Sequence, residues 1–365
     1  MWKVGVLGLV GLWLLVLNGC NTTQSESRRA EIERRAAEQA RIRGELLGRI
    51  HDAETKMWEA LEPMMRAAAG YQEQETFGYI GAVFVTEHYY SELLSREVNA
   101  EGISREVSAL LVFSGSPAEQ AGLLAGDRLL EVNGVKTPKG ERGAVFAMRR
   151  IKRLLRAGEA NTLLVERNEE QLLLEMDAIE GAFYGLIIVA SDAIDLRADG
   201  DAIWVGLSVV ESLDTQEEVA YLAAYALAKN VMRQSKQRGK NSFLGQIVDI
   251  AAAVHGVNTG GIFGNMGANA YGHSFDVEAD LIALYLLAST DISVEMYPRF
   301  WDEVLRRQTK NGGLKTAAQE RLEMQRRIID RLAERRANGE EIYPKEYLEG
   351  DASELETVDL EGIGR

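Results

Sequence analysis

The chain has 365 residues, enough for two domains plus extensions at roughly 100–200 residues per domain. Its apolar content of 46% suits a globular protein with a sizeable core. With 41 basic and 56 acidic residues the net charge is −15, and the Arg-rich stretches are interleaved with Glu. No basic patch is left to hold nucleic acid, and electrostatic adhesion to anionic lipid is excluded on the same ground.

The first residues read as a targeting signal. Lys3 gives a positive start, and Val4 to Leu17 is apolar but shorter than the ~20 residues needed to span a bilayer. Leu17-Asn18-Gly19-Cys20 then resembles the lipobox of bacterial lipoproteins, with Asn18 where a small residue is usual. The resemblance implies a signal peptide over 1–19, cleavage before Cys20 and lipidation there. Cys20 is the single cysteine, so no intramolecular disulfide can form. Asn21, which is not Asp, favours a lipid anchor in the outer membrane, facing the periplasm. Residues 20–70 are assigned to this lipidated N-terminus and a helical spacer. Leu46, Ile50, Ala53, Met57 and Leu61 share one helical face, and Pro63 is expected to end or kink the helix. A dimeric coiled coil stays open, with an apolar pattern shorter than the three to four heptads that would identify one.

Residues 71–177 carry a second signal. Gly115-Ser116-Pro117-Ala118 starts a helix, and Gly122 and Gly126 suit tight turns. Arg128 to Val132 reads as a strand, and Asn133-Gly134 as a hairpin turn. The whole run from Gly115 to Gly134 resembles bacterial PDZ domains. Gly78, Tyr79, Ile80, Gly81 and Ala82 resemble the start of that fold, where backbone N–H groups hold a peptide carboxylate. The resemblance implies a peptide or protein ligand lying between this strand and a helix around Val145 to Leu155. Occupation by a separate peptide and occupation by the chain itself both stay open.

Residues 178–310 carry the third. The run Asp199 to Gly206, the helix Glu217 to Lys229 and the run Ser274-Phe275-Asp276-Val277-Glu278-Ala279-Asp280 follow one another in that order. They resemble zinc metallopeptidases related to HtpX and the CAAX prenyl proteases, with A-H-E-x-A-H on the helix and E-x-E-A-D later. Carried over by position, the two metal-binding His fall on Tyr225 and Lys229, the general base on Ala226 and the third ligand on Asp276. A protonated lysine has no lone pair and alanine cannot take a proton from water, so a degenerate site with no cofactor is expected. A Lys229–Asp276 ion pair, with the Tyr225 hydroxyl beside it, is expected where the metal would be. Asp280 is expected to support the helix through hydrogen bonds. The alternative is an active zinc endopeptidase with a relocated site at His273, Asp276 and Glu278. Asp195 and Arg197 depart from the family's edge strand. Gln237 to Gly264 reads as an insertion with a helix over Leu244 to Val254 and a Gly-rich turn that lacks the Lys-Ser/Thr of a phosphate loop. His51, His88 and His255 read as histidines away from any site.

Residues 311–347 are assigned to a C-terminal helix, from about Ala317 to Ala337, and 348–365 to a disordered acidic tail. The resulting fold class is α+β: a helical spacer, a PDZ domain built as a small β-barrel with helices, and a zincin-like, mainly helical domain with a small edge sheet. The function expected is that of an inactive metallopeptidase-like envelope lipoprotein that binds peptides or partner proteins, among them an active protease homologue or an envelope assembly partner. A plain spacer is the third reading.

Overall fold

The computed structural model describes residues 7–71, 77–138, 143–190, 196–237, 272–308 and 316–343. It forms two compact units, Met1–Gly48 and Arg49–Arg365. Helix α1 (Leu7–Ala67) begins in the first and ends in the second. In the first unit its solvent face carries Arg29–Glu33, Arg35–Glu31 and Arg41–Glu38 ion pairs one turn apart. Such pairs support a helix that is polar on all sides. The expected spacer over 20–70 is therefore divided, because from Arg49 onward the helix belongs to the folded body. There it buries Met57, Trp58, Leu61, Met64 and Met65. Pro63 lies inside the helix, which continues to Ala67, so of the two expected effects it does not end the helix there. Proline forfeits the bond to the Glu59 carbonyl and crowds it. The buried residues on both sides of Pro63 hold the last turn in place. Among the described residues no helix is long and apolar enough to cross a membrane.

The PDZ sheet comprises β2 (Ala82–Val85), β3 (Ser108–Val112), β4 (Arg128–Val132), β6 (Ala160–Arg167) and β7 (Glu170–Asp177), in the order β2-β3-β4-β6-β7. All neighbours are antiparallel, and β5 (Val135–Lys136) folds back on β4. The Asn133-Gly134 turn has φ of 49° and 73°, the two positive values that a two-residue hairpin needs. Helix α2 (Ser95–Ala100) precedes β3, and α3 (Pro117–Gln120) follows it. The Ser116 hydroxyl caps α3 by accepting from the Glu119 N–H at 3.1 Å. Helix α4 (Gly143–Leu154) closes the core of Ile80, Phe84, Leu129, Val132, Ile151 and Leu163. The expected strand Gly78 to Val83 is two strands, since β1 (Phe77–Tyr79) leaves the sheet and pairs with β8 (Ile179–Gly181). β8 lies beyond the expected domain boundary at 177.

A second sheet follows, in the order β10-β11-β9. β9 (Gly185–Val189) runs parallel to β11 (Ala202–Gly206), and β10 (Leu196–Ala198) antiparallel to it. Among the described residues five helices follow: α5 (Leu207–Glu211), α6 (Gln216–Gln237), α7 (Gly272–Ala288), α8 (Tyr297–Gln308) and α9 (Thr316–Asn338). α6 starts with a capping box, the Glu218 N–H donating to Thr215 Oγ1 and the Asp214 and Thr215 N–H groups to the Glu218 carboxylate. From Val219 to Met232 it is buried on every side, which is why its apolar residues show no single face. Helix and sheet are mixed as expected. The insertion helix Leu244–Val254, the Gly-rich turn and the acidic tail lie outside the described residues.

Candidate functional site

Two places deserve the name of site. The first lies between the loop that joins β1 to β2 and helix α4. Gly78, Tyr79, Ile80, Gly81 and Ala82 form one wall of a narrow cleft, and Met148, Ile151, Lys152 and Leu155 form the other. The loop's glycines have separate reasons. A Cβ on Gly78 would sit 2.8 Å from the Arg156 nitrogen, so only glycine lets the loop meet the end of α4. Gly81 has φ of 72°, and its Cβ would lie 2.2 Å from that of Ser116. The Ile80 and Gly81 carbonyls accept from the Ala118 and Phe113 N–H groups at 2.9 Å each, fixing the loop on α3 and on the end of β3. Lys152 sets its ammonium 3.9 Å from the centre of the Phe77 ring.

The second site lies between α6 and α7. Tyr225 and Lys229 are four residues apart on α6, and Asp276 and Asp280 are four apart on α7, so each pair shares a helix face. The Lys229 ammonium lies 3.0 Å from Asp276 Oδ1, and the Tyr225 hydroxyl donates to the same oxygen at 2.5 Å. Both charged side chains are about 7% exposed, so Lys229 is not a surface residue of an amphipathic helix. Burial opposes the Asp276 charge, but Lys229, Arg321 and the Tyr225 hydroxyl outweigh it and hold the carboxyl below the usual carboxylate range. Burial pulls the Lys229 ammonium down, against the attraction of Asp276. Burial and the neighbouring Asp276 drive the Tyr225 phenol well up, so it remains a donor. Ala226 is fully buried beside them.

Asp280 is the centre of a second shell of bonds. The Arg321 guanidinium grips it at 2.5 and 2.8 Å, the Tyr297 hydroxyl donates at 2.9 Å and the Gln325 amide at 2.8 Å. Its partners thus stand on α8 and α9, not on α6 as expected. Lys229 and Arg321 balance Asp276 and Asp280, leaving a buried cluster with no net charge. Arg321 lies 5.2 Å from the Tyr225 ring and 4.8 Å from that of Trp301, which joins the two halves.

Of the alternative zinc site at His273, Asp276 and Glu278, only the two carboxylates lie among the described side chains. Glu278 is buried on α7 but stands two positions from Asp276, roughly 200° around the helix, so the two carboxylates cannot converge. Among the described residues no group of three His, Cys, Asp or Glu could hold a metal ion. The side chains of His273, Asp195 and Cys20 lie outside the described residues. Arg197 is exposed on β10, His51 packs edge-on to Tyr90, and His88 lies in a short turn of 3₁₀-helix at 87–89. The zinc of the resembling family does not fit the residues at its positions, because an ammonium has no lone pair and Asp276 Oδ1 already accepts two donors.

Sequence reasoning missed Phe183, Trp58, Glu54, Tyr297 and Gln325. An aromatic pair just after a strand, as in Phe183-Tyr184, is a faint signal at most, and nothing local joins residues so far apart.

The family model of the PDZ domain matches residues 112–167. It covers α3, β4, β5, α4 and all of β6, and begins downstream of residues 78–82. The chain therefore carries a PDZ domain, a module that binds peptide or protein ligands. No curated protein sequence matches it. Among solved structures, the HtrA-type protease AlgW with a decapeptide aligns at 21% identity, covering 29% of this chain and 30% of that one, with a TM-score of 0.23. An aminopeptidase N family protein from Idiomarina loihiensis aligns at 20% identity over 30% of this chain and 15% of that one, with a TM-score of 0.21. The chain thus spans less than a third of the length of either.

Proposed function

We propose that this protein binds an extended peptide or the tail of a partner protein in its PDZ groove, and that it does not hydrolyse what it binds. The observation that carries the binding reading is the cleft between the 78–82 loop and α4, inside a domain whose family takes peptides. An added strand would lie along β2, which pairs with β3 alone among the described strands. Support for the absence of hydrolysis comes from the α6–α7 site. The resemblance to HtpX-type zinc peptidases implies a dication there, and Lys229 supplies a single charge that is already paired with Asp276. On this reading the second domain is a zincin-like scaffold kept for its shape. Lipidation at Cys20 and an outer-membrane anchor belong to the same proposal, which makes the protein an adaptor or regulator in envelope proteolysis.

The test is metal content and binding together, on soluble protein starting at Asn21 and purified without chelator. Less than a tenth of an equivalent of zinc, with peptide affinity unchanged by EDTA, is the expected result. One equivalent of zinc that chelator removes, together with EDTA-sensitive cleavage of casein, would overturn the reading. Separately, Cys20→Ala in the full chain should release the protein from the membrane fraction, and retention there would refute the lipid anchor.

A further inference from the structure

The peptide groove is partly filled by the chain itself. Phe183 lies just after β8 and lines the cleft beside residues 78–82. It also lines a second cleft farther along α4, bounded by Tyr89, Arg149, Gly185, Ile187 and Asp201. Met148, Lys152 and Phe183 line both clefts, so the two adjoin along α4 where Phe183 stands, and together they form a channel.

The segment around Phe183 is tied to every wall of that channel. The Lys152 ammonium donates to the Phe183 carbonyl at 2.9 Å, holding the backbone against α4. The Phe183 ring stacks on Trp58 of α1, with centroids 6.4 Å apart and planes 26° from parallel. The Ala182 N–H donates to the Met65 carbonyl at 2.9 Å, and the Tyr89 hydroxyl donates to the Leu186 carbonyl. Phe183 packs on the PDZ core yet stays only partly buried, as a displaceable side chain should.

Granting that the groove binds peptides, we infer that Phe183 is its built-in occupant, a plug that a partner peptide must displace. The incoming chemistry is an extended segment with an apolar anchor side chain, which suits the lining of Ile80, Phe84, Met148, Ile151 and Leu155. Displacement has a consequence outside the PDZ domain. The plug runs directly into β9, the strand parallel to β11, and β11 leads into α5. Filling the groove therefore loosens the first strand of the second sheet, which is a physical route from peptide binding to the helical domain.

The probes are two phage libraries of random octapeptides, one displayed at a free C-terminus and one internally, panned on wild type, Phe183→Ala and Phe183→Leu. The best-enriched peptide is then titrated by fluorescence anisotropy. Phe183→Ala should bind at least tenfold more tightly than wild type, with Phe183→Leu between them. In wild type, saturating peptide should speed amide hydrogen exchange at residues 182–189. Equal affinities, or unchanged exchange in peptide-bound wild type, would overturn the plug while leaving the groove reading intact. Failure of all three proteins to enrich any peptide would overturn the groove reading, and the plug with it.

Discussion

The PDZ groove and the α6–α7 site answer opposite demands with opposite chemistry. The groove keeps space, and its walls are mostly apolar side chains that lose little when a ligand replaces water. The α6–α7 site holds Lys229, Asp276, Asp280 and Arg321, all buried and all bonded to one another or to Tyr225, Tyr297 and Gln325. Desolvating four charges is costly, and mutual pairing offsets that cost only when every member is in place. The difference teaches which region could bind: the four charges of the cluster are already paired with one another, whereas the groove's apolar walls are not matched to any fixed partner charge. A third place, Glu54 on α1, sharpens the contrast. It is a buried carboxylate that accepts from the Tyr90 hydroxyl at 3.2 Å and makes no ion pair among the described residues.

The strongest way to break the comparison is Lys229→Met, which strands Asp276 and should cost about 3–5 kcal/mol of stability. Adding Asp276→Leu should return most of that loss, because two apolar groups replace a pair rather than half of one. Chemical denaturation of the single and double variants measures both, and a double variant no better than the single would refute the pairing account.

The two buried carboxylates predict opposite pH slopes. Burial raises Glu54 from 4.5 to about 8, so the folded state keeps a proton that the unfolded state loses. Its contribution is complete below pH 4.5 and is lost as pH rises toward about 8. Asp276 is held below its ordinary value, so its contribution is present above about pH 4 and is lost as pH falls through its folded value. Glu54→Gln should therefore flatten the alkaline side and stabilise the protein at pH 8, on the order of 1–3 kcal/mol, while leaving the acid limb unchanged. Melting curves from pH 4 to 9 decide it, and a steeper alkaline loss would contradict the assignment.

Gly181→Ala tests the groove's rim. Its Cβ would fall 2.5 Å from that of Tyr79, so β1 and β8 must part, at about 1–3 kcal/mol. Faster hydrogen exchange at residues 77–81 should accompany the loss, and unaltered exchange would show that the rim yields without separating. The smallest effect belongs to Arg35→Ala. Its pair with Glu31 is exposed on both sides, and the melting temperature should not move beyond experimental error.

Much of the PDZ domain was legible in the sequence because its signals are local. Ser116-Pro117 starts α3 and Asn133-Gly134 turns β4 into β5, each through backbone preferences confined to a few residues. The strand Arg128–Val132 agrees to the residue. The Lys229–Asp276 contact was legible for another reason, since a buried carboxylate needs a partner of opposite charge. Pro63 went the other way. Its local preference for ending a helix lost to the burial of Met57, Trp58, Leu61 and Met64. Asp280 kept its place on α7 but took its bonds from α8 and α9, which no spacing on α7 could announce.

By itself, then, the sequence determined the helix starts, the hairpin turn, the PDZ motif and the residue types that face one another between α6 and α7. These depend on φ preferences, side-chain caps and spacing within a few turns of chain. Tertiary structure alone decided that Phe183 divides the groove, that Trp58 backs it, and that Arg321 completes the charge balance of Asp280 from 41 residues away. Such contacts join residues whose separation along the chain leaves no local trace, and only packing of the whole body selects them.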